Sequence, residues 1–149
     1  MIAPSMSDLF IRPASSGDAA ALVELIGGLG YSATAIEMRR RVAALVDRAD
    51  YVTLVACDGE KVVGLAGAFL YLAIEHDRPF ARLTGLVVHE SWRRHGIGAL
   101  LMKRLEEWSR QQGAMAITLT SGSHRREAHG FYRHIGYQQT GVRFMKSLT

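Results

Sequence analysis

A single cysteine, Cys57, stands among 149 residues, so no disulfide can close within the chain. A reducing, cytoplasmic setting is therefore the expectation. Cys57 falls in a β-like run and reads as a small buried hydrophobe, not as a nucleophile. Lysine is scarce, with only Lys61, Lys103 and Lys146, and the net charge of +4 rests on arginines spread along the chain. Their local clusters, Arg39–Arg41, Arg93–Arg94 and Arg125–Arg126, form no basic stripe interleaved with aromatics, which speaks against a nucleic-acid partner. No apolar run approaches the ~20 residues of a membrane span. The opening M-I-A-P-S-M-S-D has neither a basic segment nor a continuous apolar stretch, so no export signal is expected. No cluster of Cys, His, Asp or Glu has the spacing of a metal site, and no metal is expected.

What is present is an ordinary core: 48% hydrophobic residues in a length suited to one domain spanning 1–149. The chain is organised around Leu83 to Leu101. It opens with Leu86, Val87 and Val88, the composition of a strand buried on both faces. After a short polar connection comes R-R-H-G-I-G, Arg93 to Gly98, and then Ile97, Leu100, Leu101, Leu105 and Trp108 at helical spacing. A strand, a glycine turn and a helix start make an anion site, because first-turn N–H groups have no internal partner and carry partial positive charge. Gly96 and Gly98 let a phosphate approach the backbone, and Arg93 and Arg94 add guanidinium charge beside it. The dinucleotide pattern is only half present, since Leu101 stands at its third glycine, and no P-loop Gly-Lys-Ser/Thr follows.

Arg-x-x-Gly-x-Gly opening an amphipathic helix after a hydrophobic strand resembles the acetyl-CoA pyrophosphate loop of the GCN5-related N-acetyltransferase (GNAT) superfamily, matched by Arg93, Gly96 and Gly98. A second motif agrees with it. In E-A-H-G-F-Y-R-H-I-G-Y, Ala128, Phe131, Tyr132, Gly136 and Tyr137 fall on the superfamily's A-x-x-F-Y-x-x-x-G-F/Y helix. The resemblance is strongest from Leu83 onward.

In chain order, the spacing predicts a strand over Leu9 to Pro13, a helix from Ala19 capped by Ser16-Gly17-Asp18, and a helix from Thr34 to Arg48 with Glu37 completing a capping box. Strands follow over Tyr51 to Cys57 and Lys61 to Leu72 around an Asp58-Gly59 turn. Gly64 and Gly67 inside the second suggest a bulge or a close backbone approach. A polar loop, Ile74 to Pro79, leads to the strand Phe80 to Val88. The Gly96 helix ends at Gln112-Gly113, Ala114 to Thr120 is the next strand, Arg125 to Ile135 a helix ended by Gly136, and Tyr137 to Leu148 holds two short strands around Gly141. This order implies one α/β domain with a mixed sheet and helices on both faces. The resemblance implies a mostly antiparallel sheet whose central strand pair splays apart.

The resemblance further implies that acetyl-CoA is the co-substrate. Its phosphates would lie on Arg93, Arg94, His95, Gly96, Ile97 and Gly98, and its pantetheine along Leu86, Val87 and Val88 like an added strand. A backbone N–H near Leu86 would polarise the thioester carbonyl. Ser121 and Arg125, at the start of the second motif's helix, are expected to bind the coenzyme, with the acceptor mouth as the alternative position for Arg125. Tyr132 is the expected general acid, protonating the departing thiolate; without the motif it reads as a core aromatic beside Phe131. The superfamily often places a base glutamate on the central strand, but Arg82, Thr84 and Gly85 stand there. Glu75, His76, Asp77, His124 and His129 are the alternatives through water, or the acceptor binds as a neutral amine and proximity suffices. The expected activity is transfer of an acetyl group to a primary amine, of a small molecule, by direct attack in a ternary complex. Peptide or protein acetylation and a non-catalytic CoA-binding module are the alternatives. The sequence leaves a homodimer open.

Overall fold

The computed structural model describes residues 8–149, so the reading of the first seven residues as free of an export signal lies outside it. The chain falls into two compact units, one ending at Thr118 and one of Leu119–Thr149. No helix among the described residues is long and apolar enough to cross a membrane.

The first unit runs β1 (Leu9–Pro13), α1 (Ala19–Gly27), α2 (Ala35–Val46), β2 (Tyr51–Asp58), β3 (Lys61–Tyr71), β4 (Phe80–Val88), α3 (Ile97–Gln111) and β5 (Ile117–Thr118). The strands lie in the order β1-β2-β3-β4-β5; the first four pair antiparallel, and β5 runs parallel to β4. The result is the expected mixed, mostly antiparallel sheet. α1 and α2 cover one face, where Leu22, Leu25, Met38 and Val42 meet Val55, Cys57, Val62 and Val87. α3 covers the other with Ile97, Leu101, Met102 and Leu105, each at most 1% exposed. Burial of each such side chain stabilises the fold by roughly 1.5–3 kcal/mol. Cys57 is buried, as its surroundings in the sequence suggested. Leu100, expected on the apolar stripe of α3, is instead exposed and Met102 is buried in the core.

Local signals account for several details. Thr34 caps α2 by accepting the Glu37 N–H at 3.1 Å, the capping box read from the sequence. Gly64 is required by close approach, for a Cβ there would stand 3.1 Å from Leu101 and 3.3 Å from Ile97 of α3. The register slips between Gly67 and Ala68, the other irregularity expected on this strand. Asp18 stands at the start of α1 without capping its first turn. Its buried carboxylate accepts two bonds from Arg12, at 2.8 and 2.9 Å, and one from the Ser15 N–H.

Two strand predictions need correction. β5 is two residues long, not seven, because it pairs with β4 only at Ala81↔Ile117 and Arg82↔Thr118. Beyond Arg82 the outer edge of β4 runs on without a strand beside it, which is the splay expected of the central pair. The second unit holds α4 (Arg126–His134), closed by Gly136 at φ 97°, and no strand among residues 137–149. The period-two pattern of Val142 and Phe144 is real, yet a strand exists only through its ladder. With no partner those side chains are 82 and 92% exposed.

Candidate active site

The free edge of β4 ends at Val88, and the next ten residues are tightly tied. His89 donates its N–H to Val63 at 2.8 Å, a short 3-10 turn spans Glu90–Trp92, and buried Trp92 anchors it. The chain then reverses through two left-handed residues, Arg94 at φ 66° and Gly96 at φ 77°. Only a glycine adopts the second without strain, whereas Arg94 is a non-glycine outlier of the kind that gathers at binding turns. Gly96 caps α3 and, being glycine, gives it no side-chain cap, and the space a Cβ would fill at Gly96 is open. A helix start with positive end-charge and open space beside its glycine suits an anion such as a diphosphate. Leu86, Val87, Val88 and the run Arg93 to Gly98 are thus brought together in one strand–turn–helix segment.

Val87 to Glu90 and Arg93 form one wall of a cleft of about 240 Å³. α1 supplies the other wall with Glu24, Leu25 and Gly28, facing Val87 to Glu90 and Arg93. Arg93 bends back into the cleft, donating its Nε–H to the Val88 carbonyl at 3.1 Å, and its guanidinium approaches Gly28. His89 bridges the cleft: its Nε2 lies 2.9 Å from a Glu24 carboxylate oxygen, and its Nδ1 accepts the Ser91 N–H at 3.2 Å. In the neutral ring these partners place the hydrogen on Nε2.

Ser121, Arg125 and Tyr132 belong to the second unit. The Ser121 hydroxyl is buried with no hydrogen-bond partner among the described residues. Arg125 caps α4, its N–H bonded to the Gly122 carbonyl. Tyr132 packs edge-on against Phe131 and Tyr137, with ring centres at 5.2 and 5.9 Å. Burial raises its phenol's pKa, and the charge of Arg125 partly opposes that. A phenol so placed keeps its proton and can donate it.

The alternatives weighed for a base fall in several places. Thr84 turns its hydroxyl towards Gly67, and His76 packs edge-on against Phe80 at 5.0 Å. Glu24 is the carboxylate the sequence reading missed. It is the one charge in A-A-A-L-V-E-L-I-G, a signal that could have raised it. His89, in the polar connection after Val88, is also a cleft residue.

Comparison with known proteins gives the family. A family model described as "Acetyltransferase (GNAT) family" matches residues 20–137. The chain is 35% identical over 106 residues to an aminoalkylphosphonate N-acetyltransferase of Salmonella typhimurium, covering 71% of this chain and 68% of that one. It is 29% identical over 138 residues to an aminoglycoside N(6')-acetyltransferase type 1 of Stenotrophomonas maltophilia, covering 87% and 86%. Among solved structures, a GNAT family acetyltransferase from Staphylococcus aureus superposes with a TM-score of 0.81 at 26% identity, over 95% of this chain and 99% of that one.

Proposed function

The chain belongs to the acetyltransferase (GNAT) family and is an N-acetyltransferase; from that premise we propose that it moves the acetyl group of acetyl-CoA to a primary amine of a small molecule, which attacks the thioester directly. The observation that carries the reading is the start of α3: a glycine-capped helix with no side-chain cap, reached from the free edge of β4 through one short turn. Support for a small acceptor comes from the relatives, whose names specify aminoalkylphosphonates and aminoglycosides.

Each site residue has a role in this proposal. Arg94, His95, Gly96, Ile97 and Gly98 receive the diphosphate through backbone N–H groups and the neighbouring guanidinium. Leu86, Val87 and Val88 offer an unpaired strand edge to the pantetheine amides, and the Leu86 region supplies an N–H to the acyl oxygen. For the Val88 carbonyl to accept from the pantetheine, Arg93 must release it and turn its guanidinium to the phosphates. Bound acetyl-CoA supplies the activated acyl group. Ser121 and Arg125 add a hydroxyl and a positive charge to coenzyme binding. Tyr132 protonates the thiolate as it leaves.

Two measurements test the reading. Acetyl-CoA should raise the melting temperature, since it binds only the folded chain. Acetyl-CoA incubated with a panel of amines should then release free thiol. A chain that is stabilised but releases no thiol with any amine is a CoA-binding module, and the enzymatic proposal falls.

A further inference from the structure

Four aromatic rings from three adjacent strands line up on one face of the sheet. Tyr51 and Phe69 stack with centroids 5.5 Å apart, Phe69 and Tyr71 are 6.2 Å apart, and Tyr71 stacks on Phe80 at 5.6 Å. Side chains alternate along a strand, so Phe69 and Tyr71 share the face of Leu65, and Tyr51 that of Val55. Leu65 pairs with both Val55 and Val87, which makes this the face that α1 and α2 cover. The helices cover it around Val55, Cys57 and Val87, whereas the four rings remain partly exposed. Between Val87 and the rings lie Gly85, with open space where a side chain would stand, and exposed Thr84, whose hydroxyl stands over Gly67. A strip therefore leads from Val87, a wall of the cleft, past a bare glycine and a hydroxyl to a run of rings, with Arg82, the cross-strand partner of Phe69, beside the first of them.

Cross-strand aromatic pairs stabilise a sheet, which accounts for their stacking. It does not account for a partly open row continuous with the cleft. The outer ring, Tyr51, already holds a cation, with the Arg48 guanidinium 5.8 Å from its centre. At the other end His76 closes edge-on against Phe80. Phe69, Tyr71 and Phe80 are left between these limits.

We propose that Phe69, Tyr71 and Phe80 are the acceptor platform, holding the ring-bearing far end of an elongated primary amine. The proposal rests on the acetyl-transfer reading, which puts the reacting thioester level with Leu86. Leu86 pairs with Ala66, and Phe69 and Tyr71 lie three and five residues further along β3. At about 3.3 Å per residue, the first ring lies roughly 10 Å and the second roughly 17 Å from the reaction level. A short amine reaches neither. An amine with a flat ring at that remove stacks on Phe69, and a longer one reaches Tyr71 and Phe80.

The test uses ω-phenylalkylamines of increasing methylene linker length as acceptors, with thiol release as the readout. The specificity constant should climb with linker length to a first peak where the linker spans about 10 Å and gain again where it spans about 17 Å. Phe69→Leu should flatten that peak about fivefold, as expected for one lost stacking partner, while acetyl-CoA still raises the variant's melting temperature. Phe80→Leu, at the far end of the row, should leave the first rise in place and remove the gain at the longest linkers. A flat profile in the parent protein, or a peak that survives both substitutions, overturns the platform. No thiol release from any amine overturns the acetyl-transfer reading itself, and the platform with it; a flat profile with short amines still reacting overturns the platform alone.

Discussion

Glu24 and His89, 65 residues apart in sequence, meet at 2.9 Å across the cleft and tie α1 to the turn that leads into α3. The Glu24 side chain is 68% exposed, so the pair adds little to folding stability. Its effect is to hold the imidazole against the wall proposed to receive the coenzyme. Replacing His89 with alanine should therefore weaken acetyl-CoA binding about three- to tenfold while changing stability by less than about 1 kcal/mol. Calorimetric titration alongside urea unfolding checks both. A large stability loss with unaltered affinity would make the pair a structural clasp only.

Gly96 is left-handed and open to solvent where a Cβ would stand. A valine there meets backbone strain of about 1–2 kcal/mol and also crowds the space a phosphate would occupy. Gly96→Val should lower acetyl-CoA affinity by at least about tenfold, beyond what strain alone does to stability. Unchanged affinity in a folded variant would falsify the phosphate assignment.

The phenol of Tyr132 is pushed up by burial, so it stays protonated to higher pH than a free tyrosine of pKa about 10. A general acid works only while protonated, so the alkaline fall in kcat should lie above that value. Tyr132→Phe should reduce kcat about a hundredfold, alter the KM for acetyl-CoA much less, and abolish that alkaline limb. Rate profiles against pH for both proteins decide it. If the variant keeps the parent's rate and profile, another group carries the proton.

Asp18 is paired with Arg12 and nearly buried, and the guanidinium holds its carboxyl below the ordinary aspartate range. The folded chain thus binds this proton less readily than the unfolded one. The stabilisation is complete above the unfolded value of about 3.9 and is lost as pH falls through the lower folded value. Asp18→Asn should cost about 2 kcal/mol at neutral pH and make stability less steep below pH ~4. Urea unfolding across that range measures it; parallel pH curves for the two proteins would rule the pairing out as the cause.

Much of this was legible because it is local. The capping box of Thr34 and Glu37 spans one turn, Gly136 ends α4 through the conformation of one residue, and the Arg93–Gly98 motif is a continuous segment. Gly64 could be marked as a close approach without knowing that Leu101 is what approaches. Residues 137–149 show the opposite case. Their alternation suits a strand, but alternation describes side chains and says nothing of whether a second backbone is there to bond.

The sequence by itself determined the class of the fold, the helix start that suits a diphosphate, and the family motifs, since each rests on spacing within a few turns of chain. Tertiary structure alone decided that Glu24 faces His89, that Arg93 folds back on Val88, and that rings from β2, β3 and β4 form one row beside the cleft. The helix–turn and side-chain contacts depend on how the chain folds back on itself, and the ring row on which strands become neighbours and in what register; a shift of one residue would send a strand's rings to the opposite face.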